Sequence, residues 1–168
     1  IGAAVLLNLA PGPDMAFILG HTASGGRKAG TAAMLGIWTG AFGHVLLAAM
    51  GLTAIVAASA TAFGLVKWLG AVYLLWLGYQ ALASRDASFL ARGVGEKTGF
   101  WPVFRQGVLI DMLNPKVATF FLAFLPQFAD PARGPVSLQV FLLGAVFIAA
   151  TILIFGAVAL LAGTIGQW

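Results

Sequence analysis

Apolar residues run almost unbroken along the chain, and the polar positions fall into a few short clusters that divide it into five long segments. The segments cover about residues 1–21, 30–57, 63–83, 106–128 and 136–163. Each reaches roughly the 20 residues that a helix needs to cross a bilayer core. Between them lie Thr22–Ala29, with the turn Ser24-Gly25-Gly26-Arg27-Lys28, the short break Ser59–Thr61, the long connection Ser84–Arg105, and the proline-bearing loop Ala129–Pro135. The pattern predicts an all-α integral membrane protein with five transmembrane helices and a single transporter-sized domain over 1–168.

Two segments carry interruptions. The first holds Asn8-Leu9-Ala10-Pro11-Gly12-Pro13-Asp14, and Asp14 is the sole charged residue between Ile1 and Leu19. Pro11 and Pro13 have no backbone N–H, so the carbonyls of Leu7 and Leu9 lose their helical partners. The fourth segment holds Asp111-Met112-Leu113-Asn114-Pro115-Lys116, where Pro115 frees the Asp111 carbonyl in the same way. An unpaired carbonyl in hydrocarbon is costly, and such breaks persist only where protein or a water-filled cavity covers them. Charged groups at that depth mark ion and substrate paths. Two broken, polar-bearing helices therefore predict a transport site between segments one and four.

Composition agrees. Hydrophobic residues make up 61% of the 168 and charged residues 8%, and the mean hydropathy is +0.99. The absence of cysteine excludes disulfides and thiolate metal sites. The net charge of +4 does not point to nucleic acid, because most of the basic residues lie in loops. Arg27, Lys28, Arg85, Arg92, Lys97 and Arg105 follow segments one and three, against Lys67 and Arg133 after segments two and four. The excess places the first set in the cytoplasm. Each half also shows a broken helix, a basic loop residue and a glycine-bearing helix (Gly36, Gly144). This predicts a 3+3 inverted repeat whose second copy lacks its last helix, so six helices in a full protein and a chain shortened at both ends.

Candidate roles follow from residue chemistry. Asp14 and Asp111 are carboxylates that can alternate between a proton and a cationic substrate; a helix cap on Ala16 or Phe17 is the alternative for Asp14, and a structural pairing with Lys116 or a loop arginine for Asp111. Lys116 either binds a substrate carboxylate, neutralises an aspartate or snorkels to an interface. Asn8 and Asn114 can satisfy backbone groups freed at the breaks. Pro11, Gly12, Pro13 and Pro115 form the breaks that line the site, and helix N-termini after them favour a substrate carboxylate. His44 and Tyr73 are secondary candidates, the first as a helix bridge or proton relay, the second as part of an aromatic row with Trp76 and Tyr79. No catalytic residue and no metal site are expected.

These stretches resemble the LysE/RhtB superfamily of bacterial amino-acid exporters, and specifically its RhtB branch of homoserine/threonine efflux proteins. The likeness rests on Asn8–Asp14 (NLAPGPD), Gly26–Gly30 with Gly36-Ile37, Lys67–Gly78 (KWLGAVYLLWLG) and Leu113–Phe128 (LNPKVATFFLAFLPQF). The resemblance implies export of amino acids or close derivatives across the bacterial inner membrane. It also implies proton antiport driven by the proton motive force, with no cofactor. The expected partners are a small amino-acid substrate of threonine, homoserine, leucine or basic type, and the lipid bilayer; a homo-oligomer is left open. The alternatives are a channel or a metal or ion exporter of the same fold, and an intramembrane aspartyl protease built on the two acids.

Overall fold

The computed structural model describes residues 2–9, 12–59 and 99–165, with scattered positions from 61 to 79. Five helices are described: α1 (Gly2–Leu9), α2 (Pro13–Ala58), α3 (Phe100–Met112), α4 (Pro115–Thr119) and α5 (Val136–Ile165). A π-helical turn, Phe120–Phe124, and a 3-10 turn, Leu125–Phe128, prolong α4, and a second 3-10 turn, Pro131–Arg133, precedes α5. Among the described residues there is no strand. Pro13–Gly51 and Val136–Val158 are long and apolar enough to cross a membrane. Phe100–Met112 with Pro115–Phe128 makes a third candidate, bent by 48° at its break.

Residues 22–29, expected as a loop, are helical on both sides of one point. Gly26 has φ 67° and ψ −165°, a region that a side chain disfavours. The 46 residues of α2 would make a straight rod of roughly 70 Å, more than twice the bilayer core. The chain instead doubles back at Gly26. A Cβ added to Gly30 would strike the Thr22 side chain, although eight residues of straight helix separate such positions by about 12 Å. Ile18 also shares a buried cluster with Ala32, Ala33 and Ile37. α2 is therefore a helical hairpin, and its two limbs are the first and second apolar segments joined by a one-residue corner.

The fourth segment starts earlier than the expected Gln106. α3 runs from Phe100 because Val103 and Gly107 are buried on one face, with Phe100 and Phe104 packed beside them. Arg105 points the other way and is exposed. The third segment, 63–83, falls largely outside the described residues, and Tyr73 there tilts against Trp76 with ring centroids 5.5 Å apart.

Small residues set how closely the helices approach. The second limb of α2 lies against α3 through Gly36 and Gly40. A Cβ on Gly36 would meet the Phe104 carbonyl, and one on Gly40 would stand 2.7 Å from the Asp111 Cβ. Gly144 of α5 rests on Val45 in the same manner. These contacts are the small-residue packing that membrane helices use where no hydrophobic effect drives them together. Outward positions are apolar too: Met50, Leu142 and Leu153 are 65%, 56% and 73% exposed. A surface of that kind suits lipid as solvent.

Candidate functional site

The two helix breaks meet. Asn114, which begins α4, accepts the Lys116 N–H through Oδ1 at 3.1 Å and donates from Nδ2 to Asp14 Oδ2 at 2.8 Å. One amide thus caps its own helix and reaches across one hundred residues of sequence to the other break. It can do both because an amide carries an acceptor and a donor. The carbonyl of Asn114 then opens the new helix by accepting from Ala118 N at 3.0 Å. Pro115 fits the first helical turn, where its missing N–H is not needed.

On the other side, Gly12 O accepts from Ala16 N at 3.0 Å, and Pro13 and Asp14 occupy the first turn of α2. Ala16 N is therefore engaged by main chain, and the Asp14 carboxylate is turned to Asn114 rather than to a cap. Its Oδ1 is buried with no hydrogen-bond partner among the described residues. Pro11 lies outside the described residues. Asn8, the last polar residue before that gap, is buried at 6% exposure and faces Thr151 Oγ1 of α5 at 3.0 Å. The same hydroxyl lies 2.9 Å from the Phe147 carbonyl, so its single proton serves two acceptors.

Asp111 is 2% exposed, the most deeply buried charged side chain described. Its carbonyl, freed by Pro115, is taken up twice: by Asn114 N at 2.9 Å and by His44 Nε2 at 3.1 Å. A carbonyl only accepts, so Nε2 of His44 carries the proton of that bond. His44 in turn lies flat on Phe121, 6° from parallel with centroids 6.0 Å apart. Phe121 belongs to the π-helical turn, a feature that recurs at functional sites. Further along, Gln127 Nε2 donates to the Ala123 carbonyl at 3.0 Å.

Asn8, Gly12, Asp14, Asp111, Lys116 and Thr151 line one narrow cavity of about 20 Å³, with apolar walls that include Phe147 and Phe155. Lys116 therefore faces the acids rather than an interface. Asn114 holds the cavity wall through Asp14. His44 reaches the cavity through Asp111, and Tyr73 is not among the lining residues. That volume holds about one water molecule, so an amino acid enters only after the breaks move apart. Among the described residues, no group of three His, Cys, Asp or Glu is placed to hold a metal ion.

One lining residue, Thr151, is not among the candidates that the sequence offers. Its segment carries no charge to mark it, and Thr151 is a lone hydroxyl between Ala150 and Ile152. Outside the cavity, His21 is 7% exposed and meets Phe17 edge-on at 4.4 Å.

The chain matches the family model of the LysE type translocators over residues 5–168. It is 38% identical to an uncharacterized membrane protein of Vibrio cholerae over 130 residues, 77% of this chain and 63% of that protein. Against the homoserine/homoserine lactone efflux proteins of Salmonella typhi and Salmonella typhimurium it is 30% identical over 163 residues. That stretch is 97% of this chain and 78% of each relative. No solved structure matches it. With a match that runs through both breaks and every residue around the cavity, this membrane protein belongs to the LysE type translocator family, transporters and not enzymes.

Proposed function

We propose that the chain is the transport unit of a secondary exporter in the bacterial inner membrane that moves homoserine or a closely related small amino acid by proton antiport, as a member of the RhtB branch. The observation that carries this reading is the junction of the two breaks at the Asn114–Asp14 bond, beside a cavity that also holds Lys116 and Asp111. A zwitterionic substrate needs one acidic and one basic subsite a few ångströms apart. Asp14 supplies the first for the ammonium group. Lys116 and the main-chain N–H groups that open α4 supply the second for the carboxylate. The relatives named for homoserine efflux support the substrate class.

The site also suits alternating access. It sits where discontinuous helices meet, and each half holds the other's break: His44 on α2 bonds to the Asp111 carbonyl, while Thr151 on α5 bonds to Asn8. That crossed arrangement fits an inverted repeat in which the two broken segments correspond, with the basic loops in the cytoplasm. In the present closed state the breaks touch and exclude substrate; separating them on one face or the other admits it.

The test is efflux from cells preloaded with labelled homoserine, threonine, leucine or lysine, with and without a protonophore. Homoserine or threonine export that the protonophore abolishes is the expected result. Export that persists without a proton gradient removes the antiport reading, and export of none of the four removes the substrate class.

A further inference from the structure

Resting on the exporter reading above, we infer that the two acids at the cavity have separate tasks: Asp14 binds substrate, whereas Asp111 carries the coupled proton, with His44 as the positioning residue that ties the charge of Asp111 to the bend between α3 and α4. The two acids differ in surroundings. Asp14 is half-buried at the cavity and bound to Asn114. Asp111 is enclosed, and its Oδ2 has no hydrogen-bond partner among the described residues. An ionised carboxylate with one oxygen unpartnered away from water is expensive; a proton on that oxygen removes the charge and leaves only the smaller cost of a neutral hydroxyl.

His44 lies between two acceptors of the same residue. Its Nε2 is 3.1 Å from the Asp111 carbonyl and 4.0 Å from Asp111 Oδ2. The N–H rests on the carbonyl freed by Pro115, the arrangement that a protonated acid at Oδ2 favours. When Oδ2 releases its proton to water, the carboxylate becomes the stronger acceptor, and the N–H is drawn to it. The parallel stack on Phe121 lets the imidazole slide in its own plane. Losing His44 from the carbonyl weakens the hold on the break, which already bends by 48°. The proton thus binds Oδ2 in one state and leaves it in the other, and His44 keeps its own Nε2 proton throughout.

The groups facing Asp111 allow this. From α2 come His44 and Asp14, and from α4 comes Lys116, which lines the same cavity. α5 contributes Thr151 and no charged residue. Gly40 leaves room for the carboxylate, since a Cβ there would stand 2.8 Å from Oδ2.

The experiment uses purified protein in liposomes with homoserine, comparing net efflux, which needs a proton cycle, with exchange of labelled for unlabelled homoserine at equal concentrations, which does not. D111N is expected to keep exchange within about twofold of the native protein while net efflux falls by about tenfold or more. D14N is expected to lose both. Replacing His44 with phenylalanine, which keeps the ring on Phe121 but removes the donor, should depress net efflux more than exchange, and H44Q, which restores a donor, should recover part of it. Equal loss of exchange and efflux in D111N, or retention of exchange in D14N, overturns the division of labour. A substrate-independent readout separates this from the exporter reading: the infrared carbonyl stretch of a protonated carboxyl group. That band should be present in the native protein, absent in D111N and shifted when His44 is replaced by phenylalanine. A protein that moves no homoserine but shows these changes overturns the substrate class alone. A native protein without a band assignable to Asp111, or one unmoved by loss of the His44 donor, overturns the inference whatever the transport result.

Discussion

The two breaks answer the same problem, carbonyls without partners, in different ways. The break between α3 and α4 is held partly at close range: Asn114 caps α4 with its own side chain and bonds through its N–H to the Asp111 carbonyl, which His44 of α2 also reaches. The break before α2 is held from a distance. Its acid is bound by Asn114 of the other half, and Asn8 is bound by Thr151 of α5. Among the described residues, one break therefore combines its own cap with a bond from His44 of α2, and the other is held by partners from α4 and α5.

The largest effect should come from Asp14. D14N keeps the size of the side chain and an oxygen for the Asn114 amide, so the protein should reach the membrane in native amount. Removing the charge that pairs with a buried ammonium group costs about 3 kcal/mol, roughly a hundredfold in affinity. Homoserine efflux from cells matched for membrane content measures it. Native-level export by D14N would show that the break before α2 is not where substrate binds.

Asn114 sharpens the comparison because it serves both breaks. N114A removes the cap, at about 1 kcal/mol, together with the partner of Asp14, and should lower both the thermal midpoint in detergent and export. N114D retains an acceptor for Lys116 N–H but faces Asp14 with a second acid. It bonds to Asp14 only when the two share a proton. Its export should be about tenfold below native at neutral pH and rise as the medium is acidified. An N114D protein whose export falls on acidification, as a lost salt bridge would make it, contradicts the shared bond.

The sequence displayed the apolar segments and both breaks, because proline's missing N–H and a charge in hydrocarbon are local signals that need no tertiary context. It did not display what joins them. Asn114 looked like a residue for repairing its own break, and only folding puts its Nδ2 on Asp14. The hairpin at Gly26 was read as a loop, since Arg27 and Lys28 are as polar as loop residues. Helical hydrogen bonds continue on either side of a corner that a single glycine can make. The early start of α3 was hidden for the opposite reason: Arg105 marked a boundary by charge, but its exposed face of a packed helix accommodates it. Thr151 and His44 carry too little pattern alone, one hydroxyl and one imidazole in apolar helices, and gain meaning from the partner each one reaches.

Gly40 tests how tightly the break between α3 and α4 is built. A methyl group there would meet the Asp111 side chain at 2.7 Å, and α3 would have to move from α2. G40A should destabilise the protein by about 1–3 kcal/mol, read as a lower thermal midpoint in detergent, and reduce net efflux with it. G43A, whose added Cβ would meet the flexible end of Met112 at 2.8 Å, should cost less. Equal losses in both would mean that the approach at Asp111 has no special closeness.

The smallest effect belongs to Thr151, and it bears on the claim that α5 holds the break before α2. T151V keeps the volume and removes the hydroxyl that bonds to Asn8 in a buried site. One neutral hydrogen bond contributes about 1 kcal/mol, so the thermal midpoint should drop slightly and the variant should still fold. The hydroxyl's second bond, to the Phe147 carbonyl within the same helix, returns only with serine. T151S should therefore restore stability. What separates a local cost from a role in holding the break is the pattern across substrates. If α5 fixes the position of α1, T151V should raise the homoserine concentration needed for half-maximal export by about severalfold while leaving the maximal rate near native. A change confined to stability, with export kinetics unmoved, would mean that the Thr151–Asn8 bond does not set the position of the break before α2.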